Sequence, residues 1–562
     1  MRERPAWLPP AYCLALATVI CAPMFAPGYL LHRDLVSTPR SYLTDVALGA
    51  SQGAPRAVPQ DAAVALLSAV VDGGLVVKIL IFAALVFAGL GADALARTVL
   101  TGLRTGHRLV AITVAVWNPY VAERLLQGHW SLLVGYAGLL WGVCFAYTLR
   151  LDARDRTAWF GLTLSLAAAA LTPTGGIIAG IAVAVALADR GRVLAVALAV
   201  WIVANCPWII ASFGGAVRSD PDAVGAFAAR AEPWLGTIGS LAGLGGIWNA
   251  EAVPSPRNTP LALVGTVVLL AVVALGARQA WRAGAVARRM AILAAVAIVL
   301  PALAATGWGI EVLKLIVDTV PGAGLLRDTQ KFVALAVPFY VLAAAAGCRV
   351  RLRVPIPPVA KVAALIVVLL PLAWGVDGAL RPVRLPDSWD AVAQIVEHGP
   401  SGDVAVLPAG QFRIFTGMTV PVLDPAPRIL PRNVLQTGEL RVTRTVIAGE
   451  NTRAIRVEKA LLDGAKPAEL AREGVRYVLI ESSPGPLGDS NQTLSRMTRE
   501  FDDGTLALYS VSGDVVAEPS HRTSAIAAHL VWALLLLVSS GGLIVGFVLG
   551  RAHQSTHGRP GD

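Results

Sequence analysis

The sequence predicts a polytopic α-helical membrane protein of about 12 transmembrane helices, with an α/β domain inserted before the last of them. Composition is the first observation behind this. Hydrophobic residues make up 55% of the 562-residue chain and charged residues 15%, with a mean hydropathy of +0.63. A soluble chain carries about 25% charged residues. The second is the form of the apolar runs, which are continuous Ala, Val, Leu and Ile rather than alternating. That excludes a transmembrane β-barrel. The third is the loops, which alternate between short Arg-rich segments and longer ones carrying acids and aromatics.

The spans fall near 8–31, 75–96, 108–122, 130–149, 157–171, 174–188, 192–212, 260–277, 290–306, 332–348, 358–376 and 524–549. Arg2, Arg4, Arg97, Arg104, Arg108, Arg150, Arg190, Arg278, Arg288, Arg349, Arg351 and Arg551 all fall on one side of this arrangement. The positive-inside rule makes that side cytoplasmic and puts both termini there, including the tail 550–562. Met-Arg-Glu-Arg at the start is read as leading into a retained first helix rather than a cleaved signal. The pair within 157–188 is either two spans or a re-entrant hairpin, because Pro173 and Gly175-Gly176 interrupt it.

Outer loops are expected at 32–74, 118–129, 213–259 and 307–331, followed by the large segment 377–523. Asp61 to Val71 has the pattern of an amphipathic helix lying on the interface. The large segment reads as an α/β domain: helix at Ser388–Glu397, strand at Val404–Leu407, helix at Pro467–Glu473 and strand at Arg476–Ile480.

The net charge of +10 follows from inner-loop arginines and implies no nucleic-acid partner; anionic membrane lipids account for it. The cysteines lie within or beside spans, in neither a disulfide framework nor a metal-type spacing. There is no phosphate-binding Gly-rich loop and no His-Glu-x-x-His. Ionisable residues within spans are scarce, which argues against a proton-coupled transporter. The dominance of Ala, Val, Gly and Arg points to a bacterial plasma membrane.

Candidate chemistry gathers on the outer side. Asp34 follows the first span, flanked by His32 and Arg33, and reads either as a hydrated helix-end residue or as a general base. Asp45 is a second candidate carboxylate. Between Trp117 and Trp130 the chain carries Glu123, Arg124 and His129 beside Pro119, which ends or bends its span. These residues fit an interfacial ion pair or a substrate site. Arg327 and Lys331 are four apart and would share a helical face suited to a lipid phosphate, or serve as ordinary interfacial anchors. Trp234 and Trp248 mark a glycine-rich outer loop.

Leu31-His-Arg-Asp-Leu-Val36, Pro55-Arg-Ala-Val-Pro59, Trp117-Asn-Pro-Tyr-Val-Ala-Glu-Arg124 with Gly128-His-Trp130, and Leu326-Arg-Asp-Thr-Gln-Lys331 resemble the GT-C superfamily of polytopic glycosyltransferases. The nearest likeness is to the actinobacterial arabinofuranosyl- and mannosyltransferases of envelope polysaccharides. The resemblance implies transfer from a polyprenyl-phosphate sugar donor to an envelope glycan or glycolipid acceptor on the outer face. Asp34 would be the base, with Asp45 or Glu123 as other carboxylates. Arg33, Glu123, Arg124, His129, Arg327 and Lys331 would bind substrate. Unlike many members, Asp34 has no adjacent acid. No cofactor or metal cluster is expected, although some relatives use a divalent cation. The alternative is a non-catalytic scaffold or lipid- and glycan-handling protein of the same architecture.

Overall fold

The computed structural model describes residues 6–51, 53, 55, 57–214, 220–320, 322–442, 445–516 and 520–557. Arg2, Arg4 and Arg56, named above, lie outside this set.

Helices occur at every expected span. Among the described residues, eight are long and apolar enough to cross a membrane, or ten if each of two bent pairs is one span. The bent pairs are Gly191–Ala204 with Cys206–Phe213, at 61°, and Pro358–Val367 with Leu370–Asp377, at 74°. Arg156–Ala169 and Pro173–Leu187 have 14 and 15 residues, below the 17 or so needed to cross. The expected count of 12 therefore exceeds the eight to ten that meet the length criterion. The reason is local: the Thr172 side chain caps Gly175 N–H at 3.0 Å and starts a new helix at Pro173, which shortens both neighbours.

Packing follows from small residues. Gly73–Val99 lies against Trp130–Leu151, and Leu261–Arg282 against Val337–Gly347. At Gly276 an added Cβ would stand 2.0 Å from the Ala343 carbonyl oxygen, so only glycine permits that backbone approach. The long helix Arg522–His557 packs on Arg156–Ala169, where Trp532 donates to the Ala167 carbonyl at 2.8 Å. Asp93 and Asp189 are spent on arginines. Arg108 reaches Asp93 at 2.6 and 2.7 Å, and Arg289 reaches Asp189 at 2.7 Å.

The non-membrane segments differ in places from the sequence expectation. The amphipathic helix runs over Gln60–Ser68, shorter than Asp61–Val71, with Leu66, Leu67, Val70 and Val71 exposed. The 307–331 loop contains a helix at Gly307–Thr319; Trp308, Val312 and Leu315 are exposed along one stripe while Leu313 and Val317 are buried. The segment 377–523 holds a five-stranded mixed sheet. Its order is Thr498–Asp502, Leu506–Ser510, Val475–Glu481, Asp403–Leu407, Val434–Leu435, with the last three parallel and the first two antiparallel. Helices at Ser388–His398, Thr452–Leu462 and Pro467–Arg472 accompany it.

Candidate active site at the first outer turn

The site is built on a tight turn. Leu31–His32 and Leu35–Val36 pair as an antiparallel hairpin, leaving Arg33 and Asp34 at its tip. Arg33 has φ of +52°, a left-handed conformation costly for a residue with a Cβ. Backbone bonds from both sides hold it. Arg33 N–H donates to the Pro421 carbonyl at 3.1 Å, Leu423 N–H donates to the Arg33 carbonyl at 2.8 Å, and Asp34 N–H donates to the Gln127 carbonyl at 3.1 Å. The turn is thus clamped between the 377–523 segment and the helix Pro119–Gln127.

That helix owes its position to Asn118. Its side chain accepts from Val121 N–H at 3.0 Å and donates to the Val114 and Ala115 carbonyls at 2.9 and 3.0 Å. One residue therefore ends the preceding helix Thr105–Val116 and starts the next, with Pro119 at the first position. Gly128 ends it at φ +87°. A Cβ there would lie 2.2 Å from Leu35 N and 2.8 Å from the Asp34 carbonyl carbon. Gly128→Ala is expected to push the Asp34 turn away and lower the melting temperature, measured by a thermal melt.

The Asp34 carboxylate is 27% exposed and receives His129 Nε2 at 3.0 Å and Gln127 Nε2 at 3.2 Å. Both donors land on Oδ2, which leaves Oδ1 to an incoming group. Arg124 Nη1 meets His129 Nδ1 at 3.0 Å. A guanidinium only donates, so Nδ1 is the acceptor and the ring proton lies on Nε2, aimed at Asp34. His129 is therefore a neutral imidazole that hydrogen-bonds a carboxylate. Burial and the Lys331 charge lower its pKa against the pull of Asp34. Burial raises the Asp34 carboxyl, but the His129 and Gln127 hydrogen bonds and the Lys331 charge outweigh it and hold it below its ordinary value.

Arg124 is fully buried. Besides His129 it reaches Gln330 Oε1 and Asp328 at 3.5 Å. Lys331, 23% exposed, is also 3.5 Å from Asp328, a loose contact that a stronger anion can outcompete. The structure thus brings Asp34, Arg124, His129 and Lys331 into one connected cluster.

The other candidates have different surroundings. Glu123 is fully buried, and it accepts from Gly246 N–H at 3.2 Å, Ile247 N–H at 3.1 Å and Gln330 Nε2 at 3.2 Å. It anchors the 230–259 loop and faces no opening. Arg33 pairs with Glu251 at 3.2 Å, and Asp45 with Arg522 at 2.7 Å. Arg327 and Lys331 do not share a helical face, because Asp328, at φ −93° and ψ 77°, breaks the helix between them. Arg327 instead pairs with Glu450 at 3.2 Å over the Phe227 ring.

Sequence reasoning passed over Gln127, Gly128, Asp328 and Gln330, although each lay within or beside a quoted motif. Gln127, Gly128 and Gln330 carry no charge pattern and signalled only by adjacency to charged residues, while Asp328 is itself a charge lying between Arg327 and Lys331. Among the described residues no group of three or more His, Cys, Asp or Glu side chains could hold a metal ion. Asp328 has Arg124 and Lys331 as counter-charges, whereas Asp34 is held by His129 and Gln127.

No family model matches the chain, and no curated protein does. Among solved structures, the cryo-EM structure of arabinofuranosyltransferase AftD from Mycobacteria is similar, with TM-score 0.55 and 18% identity over 90% of this chain and 40% of that one. A mutant of AftD gives TM-score 0.54 and 16% identity over 92% of this chain and 42% of that one. The chain spans about two fifths of the length of the structures it matches. On that likeness, the chain has a fold similar to that of arabinofuranosyltransferase AftD.

Proposed function

We propose that this protein transfers a sugar from a polyprenyl-phosphate donor to an envelope glycan or glycolipid acceptor on the outer face of a bacterial plasma membrane. In this reading the loop-charge pattern puts both termini on the cytoplasmic side and 377–523 outside. The observation that carries it is the Asp34 carboxylate, held ionised with Oδ1 unspoken for at the centre of a polar cluster. The likeness to AftD supports it at the level of fold.

An acceptor hydroxyl approaches Oδ1 and gives up its proton there as its oxygen bonds the anomeric carbon. The bond from that carbon to the phosphate oxygen breaks, and the electron pair leaves with polyprenyl phosphate. Lys331 exchanges its loose contact with Asp328 for the departing phosphate. Gln127 and His129 fix the carboxylate's orientation, and Asp34 returns its proton to water.

The pH dependence follows. A base whose pKa is depressed is ionised above that pKa and loses function only as pH falls through it, below the ordinary carboxylate range of about 4. His129, whose pKa is also lowered by burial and the Lys331 charge, takes up its proton only below the ordinary histidine value. Any acid limb in the transfer rate is therefore expected to lie below about pH 6.5. A limb centred near the ordinary histidine value of about 6.5 would contradict the neutral-His129 arrangement.

Glycan and glycolipid profiling of a deletion strain, complemented with wild type or Asp34→Asn, tests the function. The reading expects an envelope structure that is lost on deletion and restored only by wild type. An unchanged envelope, or full restoration by the variant, overturns it in favour of a non-catalytic membrane scaffold.

A further inference from the structure

A cavity of about 190 Å³ opens at the seam between the first outer loop and the 377–523 segment. Asp45, Ala50 and Ser51 line it from the loop, and Ser401, Asp403 and Asn433 from the strand starts of the sheet. None of these residues belongs to the Asp34 cluster. We propose that this cavity is a binding site for one neutral sugar residue of a glycan.

The size suits a monosaccharide ring, since roughly 150 Å³ already accommodates benzene. Charge excludes an ionic ligand as the better fit. Asp45 is neutralised by Arg522 at 2.7 Å, and Asp403 by Arg453 at 2.7 Å, so the carboxylates enter the wall already paired. What remains is a mixed set of donors and acceptors. Arg522 takes Oδ1 of Asp45, which leaves Oδ2 as an acceptor. Asn433 accepts Asp45 N–H at 3.0 Å and donates to Asp403 at 3.2 Å, leaving a second amide hydrogen to give. Ser51 and Ser401 supply hydroxyls that both donate and accept. Such a set matches sugar hydroxyls, each of which is donor and acceptor at once. Val515 and Val516 complete the wall and offer apolar contact to ring C–H groups.

The site also has neighbours. A smaller pocket shares Ser51, Asp403 and Asn433 as walls and adds Asn451 and Arg453. Next to Asn451, Glu450 pairs with Arg327 at 3.2 Å, and Arg327 precedes Asp328 of the Asp34 cluster. These neighbours link the cavity wall to the residue before Asp328, an arrangement suited to a glycan held at one residue and extended at another. Only the identity of the sugar as part of the acceptor rests on the transferase reading.

Saturation-transfer NMR of the full chain in nanodiscs, with the methyl glycosides of a pentofuranose and a hexopyranose at millimolar concentration, tests the proposal. Wild type is expected to bind at least one of them. Ser51→Trp, which fills the cavity, and Ser401→Trp, at its exposed wall, are each expected to weaken binding at least tenfold with unchanged melting. Asp34→Asn is expected to bind as wild type does. Binding that survives both serine variants, or is absent from wild type, overturns the site. Cavity binding that persists in a protein unable to transfer sugar would sink the proposed function alone.

Discussion

Asp34→Asn lowers sugar transfer by about 100- to 10,000-fold, the range a general base contributes, while melting in detergent stays close to wild type. The physical reason lies in what asparagine keeps. Its carbonyl oxygen can still accept from Gln127 Nε2 and His129 Nε2, which reach Asp34 Oδ2 at 3.2 and 3.0 Å. The turn is held by backbone bonds to Pro421, Leu423 and Gln127, which the substitution does not touch. Only basicity at the free oxygen is removed. A large loss in turnover with little change in KM is the expected signature, because a base acts in the transition state and contributes little to ground-state binding. Rates within twofold of wild type would show that Asp34 is structural.

Arg124→Leu is the more destructive change, expected to cost about 3–5 kcal/mol of stability, as removal of one partner from a buried charge pair does. Asp328, with a side chain 7% exposed, is left with only the loose Lys331 contact at 3.5 Å. Gln330 loses its guanidinium partner and His129 loses the donor on Nδ1. Denaturation in detergent measures the cost. Arg124→Lys separates stability from chemistry. An ammonium can still face Asp328 but cannot span Asp328, Gln330 and His129 with a planar fork. With no planar fork to hold Nδ1, the His129 ring loses its fixed orientation toward Asp34, and the transfer rate is expected to fall while melting stays closer to wild type than in Arg124→Leu. An unchanged transfer rate in that variant would mean that Arg124 does not orient His129.

How far the sequence reveals this arrangement depends on the kind of residue. Spans announce themselves through composition, and Pro119 and Pro173 mark helix starts because proline lacks the N–H a helix interior needs. Two strands and two helices of 377–523 follow from periodicity, with Asp403–Leu407 against 404–407 and Val475–Glu481 against 476–480; the strands Val434–Leu435, Thr498–Asp502 and Leu506–Ser510 and the helix Thr452–Leu462 do not follow from it. Span number was less legible, because the helices at 156–169 and 173–187 have only 14 and 15 residues, and the second of them is apolar without having span length.

At the site, charge alone drew attention to Asp34, Arg124, His129 and Lys331, and these do meet. The same signal also drew in Glu123, Arg33, Asp45 and Arg327, whose charges are spent on Gly246 and Ile247, Glu251, Arg522 and Glu450. Sequence cannot tell a charge consumed by a partner hundreds of residues away from one left for a ligand. Nor does it show that Gly128 is required by the backbone of Asp34 and Leu35, a close approach that exists only in three dimensions.

The most direct test of the account is a transfer assay with purified protein in liposomes, supplied with polyprenyl-phosphate-linked radiolabelled pentose or hexose and an extract of envelope glycans. The account predicts that label moves to glycan with matching release of polyprenyl phosphate, and that Asp34→Asn abolishes both together. Label transfer that persists at the wild-type rate in Asp34→Asn would contradict it, as would a wild-type protein that binds these donors and releases no polyprenyl phosphate.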